Sequence, residues 1–279
     1  MTPSDARVPA IVFARHDARR GLFWLRRAYA MFRAAPLQWL LLLAVYYAAL
    51  VALAELLPWS AGKIAATILK PVFAVGFLAA AWSQERGGRP RLRDLFQGFR
   101  SNLWALIPLG VVLFAGMMLA AWATSLIDGG ALIDWFSGGE EPSEELQRSG
   151  RLQLAFLLGA ACALPTILAL WFAPALVVFH DAGAASALWT SLRAALANWR
   201  PAGVFGLAVL FYGGVLPALG ATLARIIGEN AGTILAVGVV FPYLLVFLAT
   251  FQIADYVAYR DVFHAGEPPP LEAPSDQAG

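Results

Sequence analysis

The chain has 279 residues, 60% of them hydrophobic and 14% charged, with 10 Trp, 18 Phe and a formal charge of +2. A soluble protein of this size carries nearer a quarter charged residues, so the composition excludes an ordinary water-solvated domain and points to solvation largely by lipid. A single cysteine, Cys162, excludes an internal disulfide and reads as a small packing residue.

The leader, residues 1–36, holds Arg7, Arg15, Arg19, Arg20, Arg26, Arg27 and Arg33. It is too long for the basic region of a cleavable signal, so the first apolar stretch is expected to stay as an anchor. Leu22, Leu25, Tyr29 and Phe32 recur at helical spacing, with Arg26, Arg27 and Arg33 off that face. The pattern predicts an amphipathic helix lying in the membrane interface.

A bilayer core of about 30 Å needs about 20 apolar residues in a helix. Six stretches qualify: Leu37–Pro58, Ile64–Trp82, Leu103–Ile127, Leu152–Phe179, Gly203–Ala224 and Gly232–Ala254. Only the first two contain a charge, Glu55 and Lys70. Across a tight hairpin these two form a candidate ion pair. Separate solvation at the interface, or an ion or proton site, are the other roles open to them. Proline falls inside five spans besides the first, as Pro71, Pro108, Pro165, Pro174, Pro217 and Pro242. Bends are expected in the long fourth span at Pro165 and Pro174. The fifth span, with Gly213, Gly214, Gly220 and Pro217 together, is expected to be the most irregular.

The connections alternate in charge. Arg86, Arg89, Arg91, Arg93 and Arg100 lie between spans two and three, Arg193 and Arg200 between four and five, and Arg260 follows span six. With the leader these make fifteen cations on one side, against Lys63, Arg148, Arg151 and Arg225 on the other. The richer side is expected to be cytoplasmic, with both termini there. Residues Asp128–Arg151 carry Asp128, Asp134, Glu140, Glu141, Glu144 and Glu145, with Gly138, Gly139 and Pro142, and read as a solvated, mobile loop on the opposite face. Two more amphipathic helices are expected on the basic side. One sets out Leu92, Leu95, Phe96 and Phe99, the other Leu188, Leu192 and Leu196 beside Trp189, Arg193 and Trp199. A unit of interfacial helix, outward span, loop and inward span thus recurs three times.

The run Phe172-Ala173-Pro174-Ala175-Leu176-Val177-Val178, then Ala187-Leu188-Trp189-Thr190-Ser191-Leu192-Arg193, then Asn198-Trp199-Arg200-Pro201, resembles the signature of YciC-like bacterial membrane proteins. Gly21-Leu22-Phe23-Trp24-Leu25 and Leu95-Phe96-Gln97-Gly98-Phe99 resemble a branch of six-span proteins of that kind. The resemblance implies a helical bundle in the bacterial inner membrane and brings no catalytic residues with it. Related membrane domains are joined to glycerophosphodiester phosphodiesterase domains, and no such catalytic domain fits here.

The chemical inventory is sparse. His16, His180 and His264 show no metal-ligand spacing, and no phosphate-binding glycine loop or nucleophile elbow is present. His180-Asp181 is the one acid–base pair that a membrane-embedded lipid enzyme could use, and a polar end to a span explains it as well. The expectation is therefore an all-α integral membrane bundle of six transmembrane helices in three hairpins, with short amphipathic helices on the cytoplasmic side. Residues 1–36 form the leader, 37–260 the membrane domain and 261–279 a disordered tail. A non-catalytic role without cofactors is expected, organising lipids or partner proteins, with a small-molecule transporter as the alternative. Arg86, Arg89, Arg91, Arg93, Arg100, Arg26 and Arg27 are the candidate contacts to anionic lipid. Nucleic acid is not an expected partner, because the basic residues sit beside spans.

Overall fold

The structure is a computed structural model and describes residues 11–57, 61–137 and 139–265. Among these residues every regular element is helical. The principal helices are α1 (Arg19–Ala34), α2 (Pro36–Leu56), α3 (Ala61–Glu85), α4 (Leu103–Asp128), α5 (Arg151–Phe179), α6 (Ala184–Ala197), α7 (Trp199–Ile226) and α8 (Glu229–Phe263). Short helices Leu92–Leu95 and Gln97–Arg100 precede α4, and Ala131–Phe136 and Glu144–Arg148 lie between α4 and α5. Helices α2, α3, α4, α5, α7 and α8 are long and apolar enough to cross a membrane.

The chain forms two compact units. The first comprises residues 11–49, Phe73–Arg100 and 194–265. In it, α1 ends because Pro36 follows. Proline disfavours helical backbone in the residue before it, and Ala35 sits at φ −148°, ψ 57°. The corner is tied by Gln84 near the end of α3, which accepts from Trp39 Nε1 at 2.9 Å and donates to the Met31 carbonyl at 2.8 Å. Tyr46 of α2 packs edge-on against Phe73 and Phe77 of α3. Gly76 lets α3 lie directly against the backbone of Leu95, where a β-carbon would collide.

The α7–α8 hairpin belongs to the same unit. Its expected irregularity takes the form of a π-helical segment, Phe211–Val215, and a second one, Ala236–Val240, lies in α8. The Leu216 amide bonds to the Phe211 carbonyl, five residues back. In that register Pro217, which has no N–H, leaves the Tyr212 carbonyl without a helical donor. The hydroxyl of Tyr243 donates to it at 2.6 Å.

The second unit comprises Leu50–Val72 and Ser101–Arg193. Asn102 caps α4 by accepting from the Ala105 amide at 3.2 Å, and Gly129 ends that helix in left-handed backbone at φ 71°. Helices α4 and α5 pack through small residues, Gly116 against Thr166 and Gly159 against Thr124. Lipid supplies no hydrophobic drive between helices, so close backbone approach does the packing. The acidic connection is partly built. Asp128 is buried and accepts from the amides of Gly130 and Leu132, both at 2.9 Å. Gly138 lies outside the described residues.

The fourth span breaks once, at Phe172, while Pro165 sits inside the continuous helix Arg151–Trp171. The break has a defined cause. The Ser191 hydroxyl of α6 accepts from the Phe172 amide at 3.0 Å and donates to the Leu168 carbonyl at 2.9 Å. It thereby inserts into the bond those two groups would otherwise make. Pro174 then starts the next helical stretch, where its missing N–H costs nothing.

The amphipathic helices divide their residues between protein and surroundings. In α1 the buried residues are Gly21, Trp24, Ala28, Met31 and Phe32, while Leu22 and Tyr29 are exposed. In α6 the buried row is Ala187, Ser191, Ala194 and Ala195, and Trp189 and Leu196 face outward. In α1 small residues share the protein-facing side with the large Trp24, Met31 and Phe32, in α6 that side is small throughout, and several large apolar residues of both face the surroundings. Two boundaries also shift. Helix α8 runs to Phe263, so the expected tail begins inside it, and residues 266–279 lie outside the described residues. Pro58, the expected end of the first span, is likewise outside them.

Candidate functional site

The polar chemistry of the first unit gathers where α1, the end of α3 and the end of α8 meet. At about 1.5 Å per residue, the 35-residue α8 outruns a 30 Å core by roughly 20 Å. Its last turns, with Tyr256, Arg260 and Asp261, therefore stand in the head-group zone if Glu229 marks the opposite interface.

Two carboxylates organise this end. Glu85, the last residue of α3, accepts from the Tyr256 hydroxyl in a short hydrogen bond and from Arg260 Nε at 3.0 Å. Asp261 accepts from Arg20 at 2.9 Å and from Trp24 Nε1 at 2.9 Å. His16 Nε2 lies 3.6 Å from its carboxylate and 2.8 Å from its carbonyl oxygen. Both acids are largely shielded, with side chains 20% and 10% exposed, so each cation they hold is worth more than a surface pair.

The residues before α1 are strapped down beside this cluster. The Ala14 amide donates to the Val262 carbonyl at 2.7 Å. Asn198, at the α6–α7 corner and fully buried, accepts from the His16 amide at 2.8 Å and donates to the Ala14 carbonyl at 2.9 Å. Its side chain mimics a strand edge for a segment that has no sheet to join.

The candidate lipid contacts divide by environment. Arg26, Arg27, Arg89, Arg91, Arg93 and Arg100 are exposed. Arg86 is half-buried, its guanidinium 4.7 Å from the Trp82 ring. Asp94 steadies their segment by accepting from the Arg91 amide at 2.9 Å.

On α1 the cations have an order the leader's composition hides. Arg19, Arg26 and Arg33 are seven residues apart and form one exposed row. Leu22 and Tyr29, 39% and 47% exposed, form the next row inward, then Leu25 and Phe32, then buried Gly21, Ala28 and Ala35. Seven residues make almost two helical turns, so the rows run nearly parallel to the axis. Crossing the helix surface, the chemistry passes from protein contact to exposed apolar groups to cations.

Glu55 and Lys70 do not pair. No ion pair joins them among the described residues. The hairpin register explains this: Gly62 abuts the Ala54 carbonyl. Lys70 therefore lies eight residues, about 12 Å, deeper along α3 than that level. Glu55 is exposed and Lys70 half-exposed. His180 and Asp181 close α5, with Asp181 in left-handed backbone at φ 50°.

The sequence reading missed Glu85, Asp261, His16 and Asn198 as a set. The available signal was an acid, Glu85, at the very end of an apolar run. Nothing in the spacing links residues 16, 85, 198 and 261.

The chain is similar to a protein of Burkholderia thailandensis described as a probable inner membrane protein, at 29% identity over 269 residues. The match covers 94% of this chain and 98% of that one. No family model matches the chain, and no solved structure matches it. With that likeness and six membrane-length apolar helices, the chain is a multi-pass membrane protein.

Proposed function

We infer that the protein is a non-catalytic component of the bacterial inner membrane that gathers anionic lipid at its arginine-rich end. The carrying observation is the layered surface of α1, with its exposed row of Arg19, Arg26 and Arg33 beside exposed Leu22 and Tyr29. Such a surface suits a helix with apolar groups in the acyl region and cations at head-group level. The exposed Arg91, Arg93 and Arg100 near exposed Phe96 and Phe99 repeat the arrangement. The inner-membrane description of the Burkholderia relative and the resemblance to YciC-like proteins support the location. Both termini are assigned to the cytoplasm on the charge asymmetry, and the Ala14–Val262 hydrogen bond, which holds the two described ends together, agrees with that.

The test is the lipid that accompanies the full chain. Protein extracted into lipid nanodiscs is expected to carry more phosphatidylglycerol or cardiolipin than the surrounding membrane. Replacing Arg19, Arg26 and Arg33 together by Gln removes about 1 kcal/mol of surface attraction per arginine. Mass spectrometry of the retained lipid should show that enrichment largely lost. Unchanged enrichment in the triple variant rejects the reading.

A further inference from the structure

A pocket of about 200 Å³ is lined by the middle of α1, the final residue of α3 and the last turns of α8. Its walls carry Arg27, Arg260, Glu85 and Asp261, two cations and two anions, with the His264 imidazole beside them. Most of the surrounding exposed charge is basic, with Arg15, Arg19, Arg26 and Arg33 on or just before α1. With Arg20 bound to Asp261 behind these walls, the site mixes both signs within a basic surface.

Its groups are unequally used. Asp261 is engaged through both oxygens, by Arg20 and Trp24. Glu85 accepts both of its hydrogen bonds through Oε2, and Oε1 receives none from a described residue. Arg260 spends Nε on Glu85 and keeps its two terminal nitrogens, while Arg27 has no carboxylate partner among the described residues. The pocket therefore presents one carboxylate oxygen and two guanidinium ends. Guanidinium matches phosphate oxygens in a forked geometry. A carboxylate oxygen beside it takes an N–H or O–H donor. At about 200 Å³ the space falls below the roughly 300 Å³ at which sites for whole small molecules begin. It has room for a head group whose chains stay outside.

We propose that this pocket binds a phosphate ester bearing a hydrogen-bond-donating ammonium, the head group of a phosphatidylethanolamine-type lipid. The phosphate lies on Arg27 and Arg260, and the ammonium on Glu85 Oε1. The inference rests on the lipid-facing reading above and adds a head-group chemistry that the α1 arginine row does not select. A net anion gains less here than a zwitterion, because it faces the Glu85 charge and leaves Oε1 without a donor, while the Asp261 charge is already met by Arg20.

The test uses the full-length protein in detergent, loaded with phosphatidylethanolamine, phosphatidylcholine or phosphatidylglycerol of identical acyl chains. Native mass spectrometry counts the retained lipid, with soluble phosphoethanolamine as competitor. The ethanolamine lipid should be retained about tenfold better than the choline lipid, whose methylated nitrogen donates no hydrogen bond. Glu85→Gln should bring that ratio close to one. Arg27→Gln, at an exposed position with no partner to lose, should lower retention of both lipids about tenfold and keep their ratio. Equal retention of the two lipids by the native protein overturns the proposal. So does unchanged retention in Arg27→Gln, even where Glu85→Gln fails to fold, and so does preference for phosphatidylglycerol that Arg27→Gln abolishes. Full displacement by phosphoethanolamine at equal concentration supports the same site chemistry, with the soluble ester as its source. The triple variant of the α1 row leaves these ratios untouched, so the two readings fail separately.

Discussion

Asn198 shows how one side chain can substitute for secondary structure. It offers an acceptor to the His16 amide and a donor to the Ala14 carbonyl from a fully buried position. Asn198→Ala removes both partners and leaves a part-buried backbone donor and acceptor unmet, each costing up to about 1–3 kcal/mol. The variant should lose about 2 kcal/mol or more, read as a lower thermal midpoint in detergent and as faster proteolysis of residues 11–17. Asn198 was visible in the sequence as part of a turn beside Trp199 and Pro201. Its anchoring role was not, because the partner lies 182 residues away and is a backbone group that carries no sequence signature. The same holds for Glu85 and Asp261. Each reads alone as a polar residue at the end of an apolar run, and only folding brings Tyr256 and Arg260 to one and Arg20 and Trp24 to the other.

Among elements, the six spans were legible because burial in hydrocarbon imposes length and apolarity on every helix that enters it. The faces were not. In water the large apolar residues of a helix mark its packed side. In lipid the rule weakens, and close backbone approach selects small residues for many contacts. Gly21, Ala28 and Ala35 accordingly turn inward while Leu22 and Tyr29 turn out. The candidate Glu55–Lys70 pair, one of three roles open to those residues, turns instead on hairpin register. Pairing needs a register that the Gly62–Ala54 contact does not allow. A prediction at this scale follows from Gly76, whose missing side chain admits the Leu95 backbone. Gly76→Val should cost about 1–3 kcal/mol through overpacking. Gly206→Ala, where nothing lies within reach of an added methyl, should stay within about 0.5 kcal/mol. Chemical denaturation of the two variants side by side separates a packing glycine from a tolerated one.

For the molecule as a whole, the arginine asymmetry predicts orientation. A periplasmic reporter such as alkaline phosphatase fused after Gly139 should be active, and a fluorescent protein fused at the C-terminus should fluoresce. Two active phosphatase fusions, one at each site, would reverse the threading argument. The adjacency of Ala14 and Val262 carries a further consequence for how the protein is made. The first described residues bond to nearly the last, so during synthesis the strap before α1 can meet Asn198 first and gains its bond to Val262 only after α8 has left the ribosome. Any chain stalled before Val262 would hold residues 14–16 through Asn198 alone, a half-tied segment that a quality-control protease could seize.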